Sequence, residues 1–80
     1  MTVNELGRKL REMYETKGAN KSTMIHLFGA IYYDEMRSNN IKATEVVRAA
    51  QMPESYHSEV SKGMNLAKYL QLKPEYEGKF

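Results

Sequence analysis

Ser55, His57, Ser58, Ser61, Lys62 and Asn65 fall within about three turns of any helix drawn through residues 55–65. Hydroxyl, imidazole and amide groups on short stems are the kind that read base edges in a DNA major groove, and an ammonium such as that of Lys62 can meet a phosphate or a guanine. A few residues upstream, Lys42, Thr44 and Arg48 supply two cations and a hydroxyl of the sort that fix a protein on the phosphate backbone. The charge count opposes this reading. Residues 51–68 hold Glu54 and Glu59 against Lys62 and Lys68, a local balance of zero, whereas DNA affinity comes largely from clustered cations. A solvated polar helix face accounts for the same residues, so the pattern keeps both meanings open.

Catalytic chemistry has no comparable set. His26 and His57 are the only histidines, and Ser22, Ser55 and Ser58 form no recognisable triad order with them. Neither a pocketed carboxylate pair nor a phosphate-cradling loop can be found, so no enzyme activity is expected. His26, on the flank of an apolar run, reads as a partly buried structural histidine, because no further ligands stand at metal-binding spacing. No metal and no other cofactor is expected.

The chain's 80 residues make room for one domain, and at that size only about 60% of the unfolded surface is buried. A deep catalytic cleft is out of proportion to such a core. Hydrophobic residues at 41% and charged residues at 28%, interleaved along the chain, place it in the ordinary globular class. With no cysteine there is no disulfide and no thiolate site, which fits a reducing compartment. Charge runs through residues 1–15 and no apolar run approaches the roughly 18 residues of a membrane span, so neither signal peptide nor membrane contact is expected and the cytoplasm is the expected location. A net charge of +2 is too small to argue nucleic-acid binding by itself.

The elements that would carry the polar face can be read from periodicity and caps. Thr2-Val3-Asn4-Glu5 has the form of a capping box, and Val3, Leu6, Leu10, Met13 and Tyr14 follow as one apolar stripe ending near Gly18. Glu5/Lys9, Arg8/Glu12 and Arg11/Glu15 stand at i,i+4 on its outer face. Asn20 is placed to cap a central helix running to about Ser38, densely apolar from Met24 to Met36. Gly29 inside it marks a place where another helix crosses closely. Asn39-Asn40 ends that run, and a short third helix is expected from about Ala43 to Gln51, stopped by Pro53. A fourth, from about Glu54 to Met64, would bury Tyr56, Val60 and Met64, with Gly63 permitting a close approach or a break. Leu66, Tyr69, Leu70 and Leu72 then suit either a short helix to Leu70 or a strand. The expected architecture is all-α, a compact four- to five-helix domain over residues 1–72, with residues 73–80 as a loosely held tail.

Residues 43–64, "ATEVVRAAQMPESYHSEVSKGM", follow the layout of a helix-turn-helix unit: an apolar pair, small residues, a turn with an inward hydrophobe and a helix with one apolar face. Val46, Val47, Ala50, Met52 and Val60 take the inward positions. Gln51 holds the place where a turn glycine is usual, and Tyr56 stands one place earlier than the commonest inward spacing. With Tyr56, Val60, Gly63 and Met64 inside, steps of about 100° put Glu54, Ser58, Ser61, Lys62 and Asn65 outside, with Ser55 and His57 beside them. The stretches "TMIHLFGAIYYDEM" and "SYHSEVSKGMNLAKYLQLK" resemble a family of small bacterial proteins and appended domains described as helix-turn-helix-like. The resemblance covers nearly the whole chain. It implies a compact helical domain of DNA-binding type, sometimes linked to restriction or defence genes. Taken with the polar face of the 54–65 helix, the expected function is a small transcription regulator or DNA-recognition subunit acting on double-stranded DNA. The resemblance carries over no catalytic residues.

A protein-interaction module is the other reading. Tyr33, Tyr76, Phe80 and the six methionines would then form an adaptable apolar surface for a homodimer or a larger complex.

Overall fold

The computed structural model describes residues 1–80, and every regular element in it is helical. The helices are α1 (Val3–Tyr14), α2 (Lys21–Ile31), α3 (Tyr33–Ser38), α4 (Ala43–Ala49) and α5 (His57–Leu66), with single 3₁₀ turns at Glu54–Tyr56 and Pro74–Tyr76. The capping box forms as expected. Thr2 Oγ1 accepts the Glu5 N–H at 3.1 Å and Glu5 Oε1 accepts the Thr2 N–H at 2.8 Å. With its carboxylate spent on the cap, Glu5 does not pair with Lys9. Lys9 turns to Glu12 at 3.4 Å, which leaves Arg8 without its expected partner, while Arg11–Glu15 closes at 3.3 Å. Asn20 Oδ1 likewise accepts the Thr23 N–H at 2.9 Å and starts α2.

The central helix differs from the continuous one expected to Ser38. It breaks at Tyr32, whose φ of −99° and ψ of 13° leave the helical region. On a straight helix Met36 would sit about 80° round the axis from Phe28, eight residues before it. With the break between them both side chains are fully buried, and the Tyr32 ring lies 5.0 Å from that of Phe28.

α3 and α4 end in the same way. Asn40 adopts a φ of 54° and Gln51 a φ of 58°, both left-handed. After α3, Ile41 N–H reaches Met36 O at 2.8 Å and Asn40 N–H reaches Arg37 O at 3.2 Å; after α4, Met52 N–H reaches Val47 O at 3.2 Å and Gln51 N–H reaches Arg48 O at 3.0 Å. These are the paired bonds of a Schellman closure, which satisfies the last free carbonyls and turns the chain sharply. Met52 is thereby carried inward and buried.

Twelve apolar side chains form one core, drawn from all five helices and from Ala50 and Met52 in the connection between α4 and α5. Four of the six methionines, Met13, Met24, Met36 and Met52, are among them, while Met64 is partly buried against the core and Met1 is exposed. The most extensive packing is between α2 and α5, and α1 packs on α4. At the α2–α5 crossing a Cβ on Gly63 would overlap the carbonyl oxygen of His26, and one on Gly29 would overlap that of Val60. Gly63 therefore serves a close approach and not a break. Past Leu66 the chain continues as hydrogen-bonded turns, with Leu70 N–H on Leu66 O at 3.0 Å, instead of a separate helix or a strand. Residues 73–80 carry the second 3₁₀ turn, and Phe80 packs against the core.

Two substitutions test this geometry in opposite directions. Gly63→Ala should cost about 1–3 kcal/mol or more, because backbone cannot yield as a side-chain end can. Gln51→Gly should gain roughly 0.5–1 kcal/mol by relieving the left-handed position. Thermal melts followed by circular dichroism would move down and up respectively; a neutral Gly63→Ala would mean the helices do not cross this closely.

Candidate nucleic-acid interface

The unit formed by α4, the Gln51 turn and α5 places the inward residues as the pattern requires. Val46, Val47, Ala50, Met52 and Val60 are all buried. Tyr56 is half-buried, its ring 6.0 Å from that of Tyr14 at the end of α1. Arg11 of α1 reaches the turn from outside and donates from Nη1 to Gln51 O at 3.4 Å.

The α-helix itself begins at His57, three residues later than expected. Pro53 is extended, with ψ at 133°, and Glu54–Tyr56 wind as a 3₁₀ turn in which Tyr56 N–H bonds Pro53 O at 3.0 Å. Proline thus stands just before the 3₁₀ turn and outside α5. Glu54 and Ser55 consequently do not share the register of α5. From His57 onward the expected register applies: Ser58, Ser61, Lys62 and Asn65 span about 100° of arc. His57, Ser58, Lys62 and Asn65 are exposed and Ser61 is half-buried. On the preceding helix Lys42 and Arg48 are exposed and Thr44 is half-buried, while Ser55 is exposed on the 3₁₀ turn.

The cations of this surface are not equally free. Arg48 Nη2 lies 3.2 Å from Glu54 Oε1, a pair about two-thirds exposed at both ends, at 67% and 61%. Such a pair contributes about 0–1 kcal/mol, so a phosphate can draw Arg48 away at little cost. Lys62 Nζ sits 3.4 Å from Glu59 Oε1. Lys42 has no ion-pair partner; its backbone N–H is taken by Glu45 Oε1 at 3.0 Å. A further cation stands near Ser55 that sequence spacing does not reveal. Lys21 and Ser22, at the start of α2, share an open hollow of about 320 Å³ with Ser55, Tyr56 and Glu59. Lys21 Nζ lies 4.4 Å from the centroid of the Tyr14 ring and donates to Tyr14 O at 3.1 Å.

Glu59 joins two helices. Its Oε2 is 2.6 Å from His26 Nε2 across the α2–α5 crossing, and since an ionised carboxylate only accepts, Nε2 is the donor. His26 is the partly buried structural histidine the sequence suggests, with a partner 33 residues away that no local pattern could name. No three His, Asp or Glu side chains converge as a metal-ligand set.

The hydrogen bond from His26, aided by Lys62, holds the Glu59 carboxyl below its ordinary value of 4.5. A carboxyl depressed in the folded state contributes stability above its unfolded pKa and loses it as pH falls through the folded one. Glu59→Gln should therefore flatten the loss of stability below about pH 4.5, measured as denaturant midpoints at neutral and acid pH. An unchanged slope would show that the hydrogen bond contributes nothing. No curated protein and no solved structure matches the chain. A family model does, over residues 2–73, which include all five helices and the complete α4–turn–α5 unit. The chain is a member of the HTH-like domain family.

Proposed function

We propose that this chain is a double-stranded DNA-binding module in which α5 enters the major groove, serving as a small regulator or as the DNA-recognition subunit of a larger assembly. The observation that carries the reading is the division of α5: Val60 and Gly63 are buried on one side, and Ser58, Lys62 and Asn65 are exposed on the other. Short polar side chains on a helix anchored from behind suit base edges, which must be met at fixed positions. In this reading Ser58 and Asn65 read bases, with Ser61 and His57 at the margin. Lys62, Arg48 and Lys42 hold phosphates, joined by Lys21 beside Ser55. The chain acts by binding, and no catalytic role is assigned to any residue.

The near-neutral balance of the face then has a function of its own. Glu54 and Glu59 hold Arg48 and Lys62 in place while weakening attraction to DNA of any sequence, which shifts discrimination towards base edges.

Fluorescence anisotropy with duplex DNA across a salt series, after selection of preferred sequences, tests the assignment. Ser58→Ala with Asn65→Ala should reduce sequence discrimination by about 1–3 kcal/mol for each base edge no longer read. Lys62→Ala with Arg48→Ala should weaken all sequences alike and lower the salt slope by about one for each phosphate no longer neutralised. Glu54→Gln, by freeing Arg48, should tighten binding. Absence of any salt-dependent affinity near about 50 mM salt would end the proposal.

A further inference from the structure

Large apolar side chains are exposed at five positions, and four of them lie between residues 66 and 76: Leu66 at 44%, Tyr69 at 84%, Leu70 at 60% and Tyr76 at 42%. Leu66, Leu70 and Tyr76 line an open groove of about 980 Å³ together with Leu27 and Ile31 of α2 and Tyr33 of α3. Burial of such a continuous apolar surface is what association supplies.

We propose that this groove is the contact surface for a second copy of this chain, docked about a two-fold axis. A two-fold contact requires one patch to complement itself in shape and charge. In shape, the patch offers the groove together with Tyr69, which is outside the groove's lining, highly exposed, and next in sequence to the lining residue Leu70. The charge condition is met at the lining, where Asp34 and Glu77 face the same groove as Lys73. None of these three has an ion-pair partner within its own chain. Turned about a two-fold axis, Lys73 of one copy can meet an acidic side chain of the other. A nucleic acid or a strongly charged peptide would call for a lining of one sign. The patch lies towards the C-terminal end of α5 and beyond it, so the proposal extends past DNA binding and does not rest on it.

Analytical ultracentrifugation of the purified chain without DNA gives the test. The weight-average mass should rise with concentration from one chain of 9.3 kDa to two. Tyr69→Glu and Leu70→Glu should each raise the dimer dissociation constant at least about tenfold with the helical spectrum unchanged, both side chains being outside the core. Lys73→Glu should weaken the dimer, whereas Lys17→Glu, the same charge change away from the groove, should not. A chain that stays monomeric up to about 1 mM overturns the proposal, as does a dimer indifferent to both Tyr69→Glu and Leu70→Glu, or one weakened equally by Lys73→Glu and Lys17→Glu. Capture of the groove by a different protein while the chain remains monomeric counts against it too. With no DNA present, failure here leaves the groove-reading role of α5 standing, and loss of DNA binding leaves the dimer standing.

Discussion

Where α2 and α5 cross, two glycines face two backbone carbonyls: Gly63 meets that of His26 and Gly29 that of Val60. Helices usually keep their axes about 8–10 Å apart because side chains intervene, and here the side chains at the crossing point are missing. That single approach sets several other features. Val60 is brought into the same core as Phe28, the largest fully buried side chain, and Glu59, its neighbour in sequence, comes alongside His26. With one side of α5 committed to α2, the opposite side is left to water, and Ser58, Lys62 and Asn65 stand on it.

A second constraint acts through the turns. α3, α4 and α5 are short, between six and ten residues, and helices of that length form no stable structure alone. The connections that lead into α4 and α5 are hydrogen-bonded closures. Asn40 and Gln51 take left-handed conformations, and Ile41 and Met52 follow each closure inward. Asparagine tolerates that conformation well; glutamine does so at a cost, offset here by the burial of Met52 and by Arg11 bonding the Gln51 carbonyl. The turn between α4 and α5 is therefore fixed from three sides, and the aim of α5 with it.

Several surface cations are matched by a neighbouring carboxylate, although Arg8, Lys42 and Lys73 are not. Arg48 has Glu54, Lys62 has Glu59 and Lys9 has Glu12, so the excess of cations is small and spread out. In the proposed DNA-binding reading, a face of this kind depends on geometry more than on attraction. The same holds at the other end of α5, where a groove lined with apolar side chains carries charges of both signs.

Features that depend on neighbours within a turn or two are legible in the sequence. The Thr2 and Asn20 caps, the stripe of Leu6, Leu10 and Met13, the inward set Val46, Val47, Ala50, Met52 and Val60, and the turn position of Gln51 are all local, since caps and periodicity act over three or four residues. Even the close crossing is signalled at Gly29, because an interior glycine weakens a helix without some packing reason. The remaining features arise from packing between distant segments. The break at Tyr32 comes with the burial of both Phe28 and Met36 in one core, and the 3₁₀ start at Glu54–Tyr56 comes with the seating of Tyr56 beside Tyr14. The pairing of His26 with Glu59, the position of Lys21 beside Ser55 and the groove past Leu66 all join residues more than thirty apart. No pattern in the chain encodes such distances, because they are set by where whole helices come to rest once their apolar faces share one core.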